Sequence, residues 1–169
     1  LNYDYQWTNQ TLSGGTYYGN DIEIRGTLTI ASGNVVTFVN CNLDMTAALS
    51  QIVINQGGKL RLFNCNLFQC GSMWIGIRVQ PGGLLNCYNT KIEDASQAIA
   101  AEFGSILQLN TVTLNRNNIG ILIPATTPTG MGTVNLLNYS NVCLLYTSDA
   151  ADDQSSVDLG GRRSLKKKK

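Results

Sequence analysis

The sequence predicts an all-β protein, a parallel β-helix solenoid of about five rungs with three short strands in each. Two observations predict it. The run Asn40-Cys41-Asn42-Leu43 returns unchanged 24 residues later as Asn64-Cys65-Asn66-Leu67. Self-similarity at a period of about 20–50 residues marks units that bury their apolar side only by stacking on one another. Around that echo, apolar residues come in pairs spaced by two, the strand period that turns both side chains to one face.

The first strand of each rung places Leu28/Ile30, Ile52/Ile54, Ile77/Val79, Ile99/Ala101 and Ile121/Ile123 inward. The second places Val36/Phe38, Leu60/Leu62, Leu85/Cys87, Leu107/Leu109 and Val134/Leu136 inward, at intervals of 24, 25, 22 and 27 residues. The third has Cys41/Leu43, Cys65/Leu67, Thr90/Ile92 and Val112/Leu114, with Tyr139 beginning a fifth copy. Ser32-Gly33, Gly57-Gly58, Pro81-Gly82-Gly83 and Gly104-Ser105 separate first from second strands. These residues break helices and favour turns, and the β-branched pairs between them favour strands. Asn40, Asn64 and Asn89, with Thr111 next in register, stand where the second strand bends into the third. Asn tolerates a left-handed bend, and stacked Asn amides bond to one another along the axis, so the ladder reads as structural rather than functional. Equivalent strands pair about 4.8 Å apart, and each aliphatic side chain fully buried in a ladder contributes about 1.5–3 kcal/mol.

Residues 1–20 read as an N-terminal cap segment, 21–142 as the repeats, and 143–169 as a separate piece. That last piece, from Cys143-Leu144-Leu145-Tyr146 to the four closing lysines, resembles a translated sequencing adapter and is set aside from the fold. It holds 6 of the 12 basic and 4 of the 11 acidic residues, so 1–142 carries 6 basic and 7 acidic residues, net −1. The basic footprint of a nucleic-acid binder is missing there. No apolar run approaches the roughly 20 residues of a membrane span. The solenoid reads as truncated at its C-terminal end, its last rung leaving open strand edges that further rungs of its own chain would cover.

Trp7-Thr8, Gly14-Gly15-Thr16-Tyr17-Tyr18, Ile22-Glu23-Ile24 and Gly26-Thr27-Leu28-Thr29-Ile30 form an opening pattern. Met73-Trp74-Ile75-Gly76-Ile77, Pro81-Gly82-Gly83, Ile92-Glu93-Asp94-Ala95 and Ala98-Ile99 form internal ones. Together they resemble right-handed parallel β-helix repeat proteins of the pectin-lyase-like superfold, in particular the secreted or surface-anchored kind of Bacteroidetes-like bacteria. The resemblance spans about Trp7 to Val142. It implies a right-handed coil, an extracellular or cell-surface location, and polysaccharide or cell-surface glycan as partner. It does not choose an activity, because this superfold carries many.

Uronide lyases of that superfold use a carboxylate cluster for calcium and a nearby Arg or Lys as base on one outer face. The outward residues of the first strands here are Thr29, Val53, Arg78, Ala100 and Leu122. One arginine without a carboxylate does not make a site for Ca²⁺, which takes about six to eight oxygens. Glycoside hydrolases need two carboxylates across the scissile bond. Glu93 and Asp94 are neighbours near a strand end, Asp44 is near another, and Glu102 lies in a turn of the following rung. A Glu93/Glu102 pair stays open as the hydrolase alternative, beside the reading of these as solvated turn charges. The chain has no histidine, which removes the usual general base and the Ser-His triads.

Cys41, Cys65, Cys70 and Cys87 match no zinc spacing. Cys41 and Cys65 read as stacked buried thiols, with a disulfide between adjacent rungs as the alternative. Outward residues of the second strands are Thr37, Arg61, Asn86, Gln108 and Asn135, and those of the third are Asn42, Asn66, Lys91, Thr113 and Ser140. These polar rows suit a glycan-holding surface, or simply a soluble one. Tyr88 and Trp74 are the aromatic residues that could stack on sugars or serve packing. The segment Pro124–Gly132 extends one turn into a loop, and such insertions gather on binding faces. The reading is a structural or glycan- and surface-interacting module without its own catalysis, the rival being a polysaccharide lyase or glycoside hydrolase whose active residues lie partly beyond Val142. Candidate ligand-binding residues are Arg61, Arg78, Asn86, Lys91, Glu93 and Asp94. No catalytic residue, metal or cofactor is assigned.

Overall fold

A computed structural model describes residues 2–123 in full and the strands Thr133–Leu137 and Asn141–Leu144 by their backbone. The chain opens with β1 (Tyr5–Thr8), β2 (Thr11–Leu12), β3 (Gly15–Tyr18) and β4 (Asp21–Arg25). Five rungs follow. They are β5 (Thr27–Ile30), β6 (Val35–Val39) and β7 (Asn42–Met45); β8 (Gln51–Ile54), β9 (Lys59–Phe63) and β10 (Asn66–Phe68); β11 (Trp74–Val79), β12 (Leu84–Tyr88) and β13 (Lys91–Glu93). The last two are β14 (Ala95–Ala101), β15 (Ile106–Asn110) and β16 (Thr113–Asn117), then β17 (Ile119–Leu122), β18 (Thr133–Leu137) and β19 (Asn141–Leu144).

Every strand pairs in parallel with its counterpart one rung away, which sorts the strands into three sheets. The first sheet holds β2, β5, β8, β11, β14 and β17; the second β3, β6, β9, β12, β15 and β18; the third β1, β4, β7, β10, β13, β16 and β19. The described residues contain no helix, so none is long and apolar enough to cross a membrane.

The inward pairs stack in register: Leu28 faces Ile52, Ile52 faces Ile77 and Ile77 faces Ile99 across successive rungs. All four are fully buried, so each contributes at the top of the aliphatic range, about 1.5–3 kcal/mol. The ladder loosens at its far end, where Ile121 is half-buried and Ile123, expected inward, is exposed. The cap segment builds a turn of the same solenoid, with β1, β2 and β3 pairing β4, β5 and β6. Its inward positions carry aromatics: Tyr17 stacks on Phe38 at 5.1 Å and meets Trp7 edge-on at 5.3 Å. Large rings cover the end of the aliphatic core with few residues.

Left-handed residues make the corners. Between first and second sheets Gly33, Gly57, Gly82 and Gly104 have φ near +70°. Between second and third sheets the corner residues are Gly19, Asn40, Asn64, Asn89 and Thr111, with φ of 62, 54, 53, 46 and 53°. The asparagine bend predicted from the repeat is thus present, down to its threonine member.

The final rung corrects one register. Thr113 pairs with Asn141 and Leu114 with Val142, so Asn141 rather than Ser140 continues the outer row. The connection from β18 to β19 has three residues where that from β15 to β16 has two, so the third-strand interval is 28 residues against 27 in the second strand. Strand β19 continues past Val142 to Leu144. Tyr139, Ser140, the Pro124–Gly132 loop and the segment from 145 onward lie outside the described residues.

Candidate functional site

The asparagine corner and the outer face of the third sheet form one polar trough. Its volume is about 400 Å³, and it is lined by Asn64, Asn66, Asn89, Thr90, Lys91, Thr111 and Thr113. Along its edge the corner amides bond in a chain: Asn89 Nδ2 donates to Asn64 Oδ1 at 2.9 Å, and Asn64 Nδ2 to Asn40 Oδ1 at 3.0 Å. A second amide row runs beside it on the sheet. Asn66 Nδ2 donates to Asn42 Oδ1 at 2.9 Å, and Asn42 Nδ2 to Asp21 Oδ1 at 2.8 Å. Both chains donate toward the N-terminal end. Asp21 ends the second row as a carboxylate that can only accept when ionised, which sets the direction in which the amides beyond it point.

Further along the third sheet lies a charged cluster. Glu93 Oε2 is 2.9 Å from Lys91 Nζ, and Glu93 Oε1 accepts from Arg116 at 2.9 Å and from Asn115 at 2.8 Å. Arg116 also clasps Asp94 with two bonds of 2.7 Å. Such a bidentate fork is the strong form of the pair, and the Asp94 carboxylate, helped by Glu93, raises the Arg116 pKa above its ordinary value. Asp94 and Arg116 occupy equivalent corners with φ of 59 and 54°, so the ion pair ties two consecutive left-handed bends together.

The reading of Glu93 and Asp94 as solvated turn charges is therefore corrected. Glu93 lies within β13 and is buried, Asp94 is half-buried, and both are ion-paired. Glu102 follows β14 and pairs with Arg78 on the outside of the first sheet, so Glu93 and Glu102 sit on different sheets with different cationic partners. Asp44 lies inside β7, buried, where Tyr3 Oη donates to it at 2.7 Å. That bond, with burial and the negative charge around it, raises the Tyr3 hydroxyl pKa to about 12.

The six candidate ligand residues do not converge. Lys91, Glu93 and Asp94 share the third sheet and its corner, Arg61 and Asn86 are paired neighbours on the second sheet, and Arg78 stands on the first. Trp74 cannot stack on a sugar, because it is fully buried and donates its Nε1–H to the Glu93 carbonyl at 2.8 Å. Tyr88 is exposed. Of the residues lining the trough only Lys91 was a candidate ligand from the sequence, which gave the asparagine ladder a structural role, and sequence reasoning also missed Arg116, Asn115 and Tyr3. Arg116 had one available signal, its place one rung after Asp94 in the repeat.

Cys41, Cys65 and Cys87 are buried free thiols and Cys70 is exposed. Burial raises the Cys65 pKa to about 11 and pushes that of Cys87 upward as well, which keeps both as unreactive thiols at neutral pH. Among the described residues no group of three or more His, Cys, Asp or Glu side chains is placed to hold a metal ion. No protein-family model, curated protein or solved structure matches the chain.

Proposed function

We propose that this β-solenoid is a secreted or cell-surface repeat module that holds glycan, or another hydroxyl-rich surface, on its third sheet without catalysis of its own. The observation that carries the reading is the trough, lined by Asn64 and Asn89 of one amide row and Asn66 of the other. Rungs about 4.8 Å apart present the same amide group repeatedly along the axis, which suits a polymer that repeats its own polar groups. The trough is backed by strands whose inner faces are locked into the core, so its side chains are held in place before a ligand arrives, which lowers the cost of binding.

The carboxylates lend no support to a hydrolase. Glu93 and Asp94 are both held by Arg116, and Glu102 by Arg78, whereas a hydrolase needs two carboxyl groups facing one another across a bond. The reading is tested by affinity electrophoresis of the whole chain through gels containing individual polysaccharides. Retardation by at least one polymer, lost in Asn66→Ala and Lys91→Ala and kept in Arg61→Ala, is the expected result. Retardation that depends on Arg61 and ignores Asn66 would move the surface to the second sheet, and no retardation by any polymer would overturn the reading.

A further inference from the structure

We infer that the trough selects uncharged, hydroxyl-bearing glycans and discriminates against acidic ones, an inference that rests on the glycan-holding reading above. The first argument is the hydrogen-bonding capacity left over by the amide rows. Asn64, which lines the trough, stands in the middle of its row, donating one bond along it and accepting one, and Asn42, outside the lining, does the same in the other row. A primary amide has two N–H groups and two carbonyl lone pairs, so the row takes one of each and leaves one of each. A hydroxyl both donates and accepts and satisfies the pair. An ionised carboxylate only accepts, and it would set its charge against the remaining lone pair.

The second argument is charge. Among the described residues lining the trough Lys91 is the one cation, and its ammonium is committed to Glu93 at 2.9 Å. Asp4, Asp21, Glu23, Asp44, Glu93 and Asp94 all lie on the third sheet or at its ends. Against them the same sheet carries Arg25, Lys91 and Arg116. Among the described residues of this sheet and its ends the acids outnumber the bases, and such an excess repels a polyanion at long range.

The test uses matched probes. Soluble glucan, mannan and galactan are each prepared as the neutral polymer and as the same polymer oxidised at C6 to the carboxylate. Each is titrated by calorimetry into the whole chain and into Asn66→Ala, whose remaining binding, such as that of the basic residues in 162–169, is subtracted as binding outside the trough. At least one neutral polymer binds, and its oxidised form binds about tenfold more weakly, with a deficit that shrinks as salt screens the repulsion. Asn42→Asp, which sets a second carboxylate beside Asp21, widens that deficit. Oxidised polymers that bind as tightly as their neutral parents, in a manner still abolished by Asn66→Ala, would overturn the selectivity and leave the trough as the site. If no polymer of either charge binds, the trough reading and the selectivity both fall.

Discussion

Thr90 repeats, one rung on, the bonding of Cys65. Thr90 Oγ1 donates to the Tyr88 carbonyl two residues back at 3.0 Å and lies 3.2 Å from the Leu62 carbonyl of the preceding rung. Cys65 Sγ takes the corresponding pair, Phe63 at 3.3 Å and Phe38 at 3.4 Å. Cys41 does the same with Val39 and Tyr17. In these three rungs a small buried donor, sulfur or oxygen, fills the position beside the asparagine corner, and Val112 takes the same buried place one rung on, where Thr111 makes the corner. The exchange of cysteine for threonine in the repeat is a like-for-like change in hydrogen bonding, and the echo that revealed the fold serves the corner and not a reaction.

Cys65→Thr should therefore change stability by no more than about 1 kcal/mol, the scale of one net hydrogen bond. Cys65→Leu removes the donor and overfills the site, and should cost about 1–3 kcal/mol. Urea denaturation of the three proteins checks this, and equal losses for threonine and leucine would contradict the donor role.

The thiol also predicts a pH response. The Cys65 pKa is raised from 9.0 to about 11 in the folded state, so folding favours the protonated form. Its contribution is fully present below about pH 9 and is lost as pH rises through about 11. Wild type should lose more stability than Cys65→Thr across that window, with the two curves parallel below it. Mapping of alkylated peptides at pH 8 should find Cys70 modified and Cys65 and Cys87 protected until denaturant is added.

Gly76 should be the least replaceable glycine of the first sheet. It has φ of 123° beside the register shift in β11, and an added Cβ would lie 1.6 Å from the Gln97 carbonyl oxygen. Gly76→Ala should cost roughly 3 kcal/mol or more, or prevent folding. Gly33 also has positive φ, at 70°, but a Cβ there meets nothing within 4 Å. Gly33→Ala should cost only the backbone strain, about 1–2 kcal/mol. Thermal melts that rank the two in the opposite order would contradict the close approach at Gly76.

At the corner, Asn64→Gly keeps the left-handed backbone and loses the amide, whereas Asn64→Ala loses both. Alanine should destabilise by about 1–3 kcal/mol and glycine by less. Circular dichroism melts of the pair separate the backbone role of Asn64 from its place in the row.

The solenoid was legible because its physics is local and repeated. Apolar residues two apart, glycines with positive φ and an asparagine at the bend recur in each rung, so each copy supports the assignment of the others. The charged cluster was not legible, because its members gain meaning only after the chain has coiled. Arg116 reaches Asp94 and Glu93 from a neighbouring rung, and Tyr3 reaches Asp44 across the cap turn. The sequence leaves Trp74 open between stacking on a sugar and packing, and the irregular register beside Gly76 turns it fully inward. The slip from Ser140 to Asn141 arose where one further residue enters between β18 and β19, within a rung whose other strands kept their register.

The central claim is that ligand contacts the amide rows of the third sheet. The direct measurement is a titration of ¹⁵N-labelled protein with a neutral polysaccharide that retards it, followed through the side-chain NH₂ resonances of asparagine. The Asn64, Asn66 and Asn89 resonances should shift, with Asn86 on the second sheet unmoved. Shifts confined to Asn86 and the Arg61 side chain would contradict it.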